Sequence, residues 1–112
     1  MTQMLLELAT LTRIDEGFGF IFAIHSNDHN PKHIHLYLSN EDLINENYYT
    51  RILIPEECPK TIDDVIIYDG DRELSNSEKK IVLKWFLSPS KKFPDINNFV
   101  RAYLQWEIYQ NS

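Results

Sequence analysis

The hydrophobic pattern of this 112-residue chain changes period once, near Ser75, which restricts it to a sheet followed by helices. Before that point apolar residues come in short runs separated by turn chemistry. Leu5 to Ile14 reads as a strand with Leu6, Leu8, Thr10 and Thr12 on one face, and Asp15-Glu16-Gly17 turns it into a second strand, Phe18 to His25. His33 to Ser39 alternates as a third strand, with His33, His35 and Tyr37 facing one way and Ile34, Leu36 and Leu38 the other. Asn40 to Asn47 is polar and acidic and reads as a loop. Tyr48 to Ile54 gives a fourth strand stopped by Pro55, and Val65 to Tyr68 is a candidate fifth.

Beyond the switch, Ser75-Asn76-Ser77-Glu78 has the form of a capping box and opens a helix over Lys79 to Leu87. Its apolar face is Ile81, Val82, Trp85 and Phe86. Pro94-Asp95 starts a second helix, in which Ile96, Phe99, Val100, Tyr103 and Leu104 recur at helical spacing. Each helix has one apolar stripe and must pack on the sheet. The expectation is an α+β fold: a small antiparallel sheet of four to five strands, N-terminal hairpin first, packed by two C-terminal helices in a single domain over residues 1–112.

Function concentrates in one segment. All four histidines, His25, His29, His33 and His35, fall in or beside the stretch HSNDHNPKHIHLY. On a strand His33 and His35 leave the same face about 6.5–7 Å apart, a workable spacing for two ligands of one metal. His29, across the Asn30-Pro31 turn, could supply a third nitrogen, and three imidazoles plus water is a known catalytic zinc arrangement. Asp28 is a candidate ligand, imidazole acceptor or base. Asp28, His29, His33 and His35 are therefore the catalytic candidates, and His29, His33 and His35 the candidate ligands for a divalent metal such as zinc. His25 reads as a strand-end residue outside the set.

Two other readings stand beside the metal. Asn27, Asp28 and Asn30 favour local backbone bonding, so the histidines could simply hold a turn shut. They could also work without metal, as acid and base. A cupin-like set would need a histidine beyond His35, and a histidine-triad hydrolase would need one where Tyr37 stands. Neither is present.

Net charge is −6, which disfavours nonspecific nucleic-acid binding. Residues 1–74 hold 14 acids and 5 bases, and residues 75–112 hold 3 acids and 6 bases. Lys79, Lys80 and Lys84 at the basic end, with Lys32 in the histidine loop, are candidates for contacting a partner. The apolar runs are too short to span a bilayer as helices, so no membrane association is expected. Met1-Thr2-Gln3 lacks the flank of a secretory signal and Cys58 is the only cysteine, which points to a reducing cytoplasmic setting. Exposed sheet edges leave a homodimer open.

The octapeptide Asp28-His29-Asn30-Pro31-Lys32-His33-Ile34-His35 resembles the signature of a small bacterial family, domain of unknown function 4160, whose usual form is D-H-N-P-P-H-F/I-H. Lys32 replaces the usual second proline. Phe18 to Ile24, Leu83-Lys84-Trp85 and Trp106 resemble the family's strand before the loop and its two C-terminal helices. The resemblance implies a compact α+β domain of the bacterial cytoplasm that serves in a toxin–antitoxin-like two-gene module. It also implies a small protein partner from a neighbouring gene. The family carries no established reaction, so it adds emphasis on the octapeptide without assigning catalytic roles. Two functions follow as expectations: a partner-binding component of such a module, or a metal- or histidine-dependent hydrolase or nuclease.

Overall fold

The computed structural model describes residues 8–111. Four strands, β1 (Leu8–Thr12), β2 (Ile21–His25), β3 (His33–Tyr37) and β4 (Thr50–Leu53), form an antiparallel meander in the order β1-β2-β3-β4. A one-turn helix α1 (Asn40–Ile44) joins β3 to β4, and two longer helices, α2 (Asn76–Leu87) and α3 (Asn98–Gln110), close the chain. The α+β expectation holds, with the N-terminal hairpin and two C-terminal helices in place. Leu5, Leu6 and Glu7 of the expected first strand lie outside the described residues. Among the described residues no helix is long and apolar enough to cross a membrane.

Every residue of β2 and β3 is buried, because both faces of the sheet centre are covered. Alternation then sorts the side chains. Phe22, Ile24, Ile34, Leu36 and Ile52 join Val82, Trp85, Phe86, Phe99 and Trp106 of α2 and α3 in the main core. Ile21, Ala23 and Tyr37 form a smaller cluster, against which Ile14 and Leu43 pack. The histidines of β3 share the face of Tyr37.

The core is centred on Phe22, whose ring stacks on Trp85 at 3.9 Å with planes 1° apart. The Trp85 indole N–H donates to the Thr12 hydroxyl. Thr12 reaches it because β1 bulges: Thr10 pairs with Ala23 and Thr12 with Phe22, leaving Leu11 as the extra residue. The bulge breaks the expected one-face alignment, so Leu8 and Thr10 are exposed while Thr12 is buried.

Several boundaries differ from the sequence reading for local reasons. The Asn40–Asn47 loop contains α1, whose N-terminus is capped by the Ser39 hydroxyl accepting from the Asp42 N–H at 3.1 Å. Five residues are too few to display a helical period. The Val65–Tyr68 run forms only a bridge from Ile67 to Ile52, because a 3-10 turn ends at its start and a turn at Asp69-Gly70 follows. The second C-terminal helix begins at Asn98 rather than near Asp95, since the Asn97 side chain accepts from the Val100 N–H at 2.9 Å and caps it there. The Ser75–Glu78 capping box is present as expected, with Glu78 also accepting from the Tyr49 hydroxyl at 2.9 Å.

Two stability effects follow. Trp85→Ala removes the fully buried ring stacked on Phe22 and should cost about 3–5 kcal/mol. Ser75→Ala removes one cap and should cost about 1 kcal/mol. Urea unfolding of both variants checks the ranking.

Candidate metal centre

The site is built on a tight loop between β2 and β3. The Asp28 carboxylate accepts the His25 backbone N–H at 3.1 Å, while the Asp28 N–H returns to the His25 carbonyl at 3.2 Å. These bonds turn the Asp28 side chain back over the sheet. The Gln110 side-chain amide at the end of α3 donates to the Asp28 carbonyl at 2.9 Å. The loop is thus fixed from both sides.

Above β3 the Asp28 Oδ2 atom meets both strand histidines, at 3.6 Å from His33 Nε2 and 3.5 Å from His35 Nδ1. The three ligand atoms lie within 4.8 Å of one another. Metal–ligand bonds of about 2.1 Å in tetrahedral geometry place donor atoms about 3.4 Å apart, so two of the three edges already have the right length. His33 Nδ1–H donates to the Pro31 carbonyl at 2.7 Å. A carbonyl only accepts, so Nδ1 is committed to Pro31 and Nε2 is the ring nitrogen turned to the Asp28 carboxylate. His35 Nδ1 is buried with no hydrogen-bond partner.

The surroundings hold the rings in place. His33 lies 5.3 Å from Trp106 and 4.8 Å from Tyr68, and His35 lies 4.5 Å from His25 and 5.1 Å from Tyr48. Arg51 on β4 pairs with Asp71 through two bonds of 2.8 and 3.0 Å and lies over the Tyr68 and Tyr48 rings. It anchors the aromatic wall. Beside Asp28 and His35 opens a cavity of about 150 Å³, lined also by His25, Asn27, Tyr37, Glu46 and Tyr48, with His33 outside its lining. Glu46 adopts a left-handed backbone at φ 56°.

Burial governs the charges. It pushes the His35 imidazole down to about 4 against the pull of Asp28, and lowers His25 against Asp28 and Glu46. Burial also raises the Tyr37 phenol to about 12, with Glu46 and Asp28 adding to it. For Asp28 burial acts upward, but the His33 and His35 rings and the His25 N–H outweigh it and hold the carboxyl below its ordinary value. At neutral pH the site therefore presents an ionised carboxylate and a neutral His35, the protonation states a metal requires.

Of the sequence candidates, Asp28, His33 and His35 come together. His29 does not: it is exposed on the outer side of the loop with Asn30 and Pro31. Asp28 supplies the loop's donor in its place because its two bonds to His25 direct it inward. Lys32 pairs with Glu56 at 2.8 Å and lies outside the cavity lining. Lys79, Lys80 and Lys84 stand on α2, also outside it. His25, read as a strand-end residue, is part of the site, with its Nε2 2.8 Å from the Tyr37 hydroxyl. The signal available for it was the shared β2/β3 face; Glu46 lay in the expected Asn40–Asn47 loop, and Tyr48 opened the expected fourth strand, which begins instead at Thr50.

No protein-family model matches the chain, and neither does any curated protein or solved structure.

The pKa directions fix an acid response of metal-free protein. His35 and His25 have folded-state pKa values below the unfolded 6.5, so the unfolded chain binds more protons once the pH drops beneath that value. Stability should fall from pH 6.5 toward about 4, by up to about 1.4 kcal/mol per pH unit for each proton. Asp28 adds a further loss below its unfolded 3.8, since its folded pKa is depressed. Urea unfolding in EDTA across this range checks the slope, and His35→Gln should flatten the upper part.

Proposed function

We propose that the chain binds one divalent transition-metal ion through Asp28 Oδ2, His33 Nε2 and His35 Nδ1 and uses it for hydrolysis. The observation carrying this reading is the donor geometry: two 3.5–3.6 Å edges with His33 already locked in the ligating tautomer by Pro31. Three protein ligands leave a coordination position for water or substrate, as catalytic rather than structural sites do. Such an ion supplies a nucleophilic hydroxide near neutral pH and polarises a carbonyl or phosphoryl oxygen. The same three residues stand in the octapeptide that resembles domain of unknown function 4160.

The protein's own groups set the substrate class. The cavity is lined by two carboxylates, Asp28 and Glu46, and by no lysine or arginine. Lys32 is neutralised by Glu56, and Arg51 by Asp71. This wall favours a small neutral or cationic substrate and opposes a nucleotide or RNA. Within it, the hydrogen-bonded pair of His25 and Tyr37 orients whatever enters beside His35.

Elemental analysis of untagged protein after dialysis against zinc or manganese decides the metal. The expected content is about one ion per chain, falling at least about tenfold in Asp28→Asn, His33→Ala and His35→Ala. His29→Ala should keep full occupancy. A content under about 0.1 ion per chain at micromolar metal sinks the reading. Loaded protein should hydrolyse neutral ester or amide probes faster than phosphodiester ones, and Glu46→Lys should shift that preference toward the phosphodiester.

A further inference from the structure

The cavity beside Asp28 and His35 has a buried floor and an exposed mouth. His25, His35 and Tyr37 form the floor, with His25 Nε2 2.8 Å from the Tyr37 hydroxyl. Asn27, Glu46 and Tyr48 form the mouth. At about 150 Å³ the space equals about five waters at about 30 Å³ each, so it fits a ligand of about five or six heavy atoms.

Glu46 decides what kind of ligand. Among the described residues its carboxylate forms no ion pair. Its charge nonetheless reaches the floor, since Glu46 and Asp28 both pull upward on the proton affinities of His25 and Tyr37. Arg51 lies over the Tyr48 ring at 5.0 Å, but Asp71 holds it and it stands outside the lining. Two carboxylates thus share one small space that contains no positive side chain. A neutral ligand seated there strips water from Glu46 without replacing it, and an anion meets repulsion. A small cation returns a charge-assisted hydrogen bond and can lie against an aromatic ring. His35 points to a ligand independently: its side chain is 10% exposed, it lines the same space, and its Nδ1 has no partner.

We infer that this cavity seats the protonated amine of a small amino-acyl ester or amide against Glu46 and Tyr48, with the acyl group toward Asp28 and His35. The ester or amide rests on the hydrolytic reading of the metal donors, whereas the amine subsite stands on the cavity alone. Hydrolysis adds the hydroxyl of water to the acyl carbon and the remaining proton to the departing alcohol or amine. The held ammonium is unchanged by it.

Glycinamide and glycolamide test the subsite, because they differ only in an ammonium for a hydroxyl. Each is titrated into metal-free protein in EDTA at neutral pH and followed by NMR of the backbone and aromatic side chains. Glycinamide should saturate with a dissociation constant on the order of 1 mM, with shifts concentrated at His25, His35, Tyr37 and Tyr48. Glycolamide should bind at least about tenfold more weakly. Glu46→Gln should weaken glycinamide at least about fivefold and leave glycolamide unchanged. Glu41→Gln on α1, an exposed charge outside the lining, should alter neither. On metal-loaded protein the KM for glycine methyl ester should lie at least about fivefold below that for methyl glycolate, a gap that Glu46→Gln closes. Glycinamide no tighter than glycolamide overturns the inference. So does indifference to Glu46→Gln, or binding whose shifts fall outside the cavity. The titration contains no metal, so its failure is distinct from a failure of ion binding, which elemental analysis reads.

Discussion

Burial of β2 and β3 on both faces is the constraint from which the other features of this fold follow. A central strand covered on one side alone would present its histidines to water, where an imidazole keeps its ordinary proton affinity. Here one side holds Phe22 against Trp85 and the other holds His25, His35 and Tyr37 as neighbours across adjacent strands. The polar face has been taken out of water with its chemistry intact. That is costly unless each polar atom finds a partner, and most do: His25 through Tyr37, His33 through Pro31. The atom left over, His35 Nδ1, is one of the three that converge on a common point.

Asp28 is the electrostatic counterpart of that burial. Burial raises the proton affinity of this carboxylate, and the His33 and His35 imidazoles with the His25 backbone donor outweigh that and hold it below the ordinary value. In return it limits what the site admits. With Glu46 it makes the small cavity acidic, although the histidines themselves would accommodate either sign of ligand. The acidity of the cavity therefore comes from Asp28 and Glu46 and not from the imidazoles beside them.

How much of this was legible in the sequence can be judged residue by residue. Period-two alternation placed His33 and His35 on one face without knowledge of the fold, since strand geometry alone decides that. The capping box at Ser75 placed α2 for an equally local reason. The third donor was not legible, because His29 and Asp28 are adjacent and only the bonds between Asp28 and His25 determine which one turns inward. His25 was missed because its role depends on the register of β2 against β3. The α1 turn and the bulge at Leu11 are likewise consequences of single hydrogen bonds and pairing shifts, which leave no periodic trace.

The last turns of α3 join two parts of the molecule that otherwise share nothing. One side of the helix touches the donor loop, with Trp106 against the His33 ring and Gln110 holding the Asp28 carbonyl. The opposite side carries the exposed Leu104 and Ile108. A rigid rod gripped at one surface transmits small rotations to the other. A ligand that shifted the helix from its outer side would act on the donor loop through Trp106 and Gln110, and by linkage the loop would act back with the same free energy.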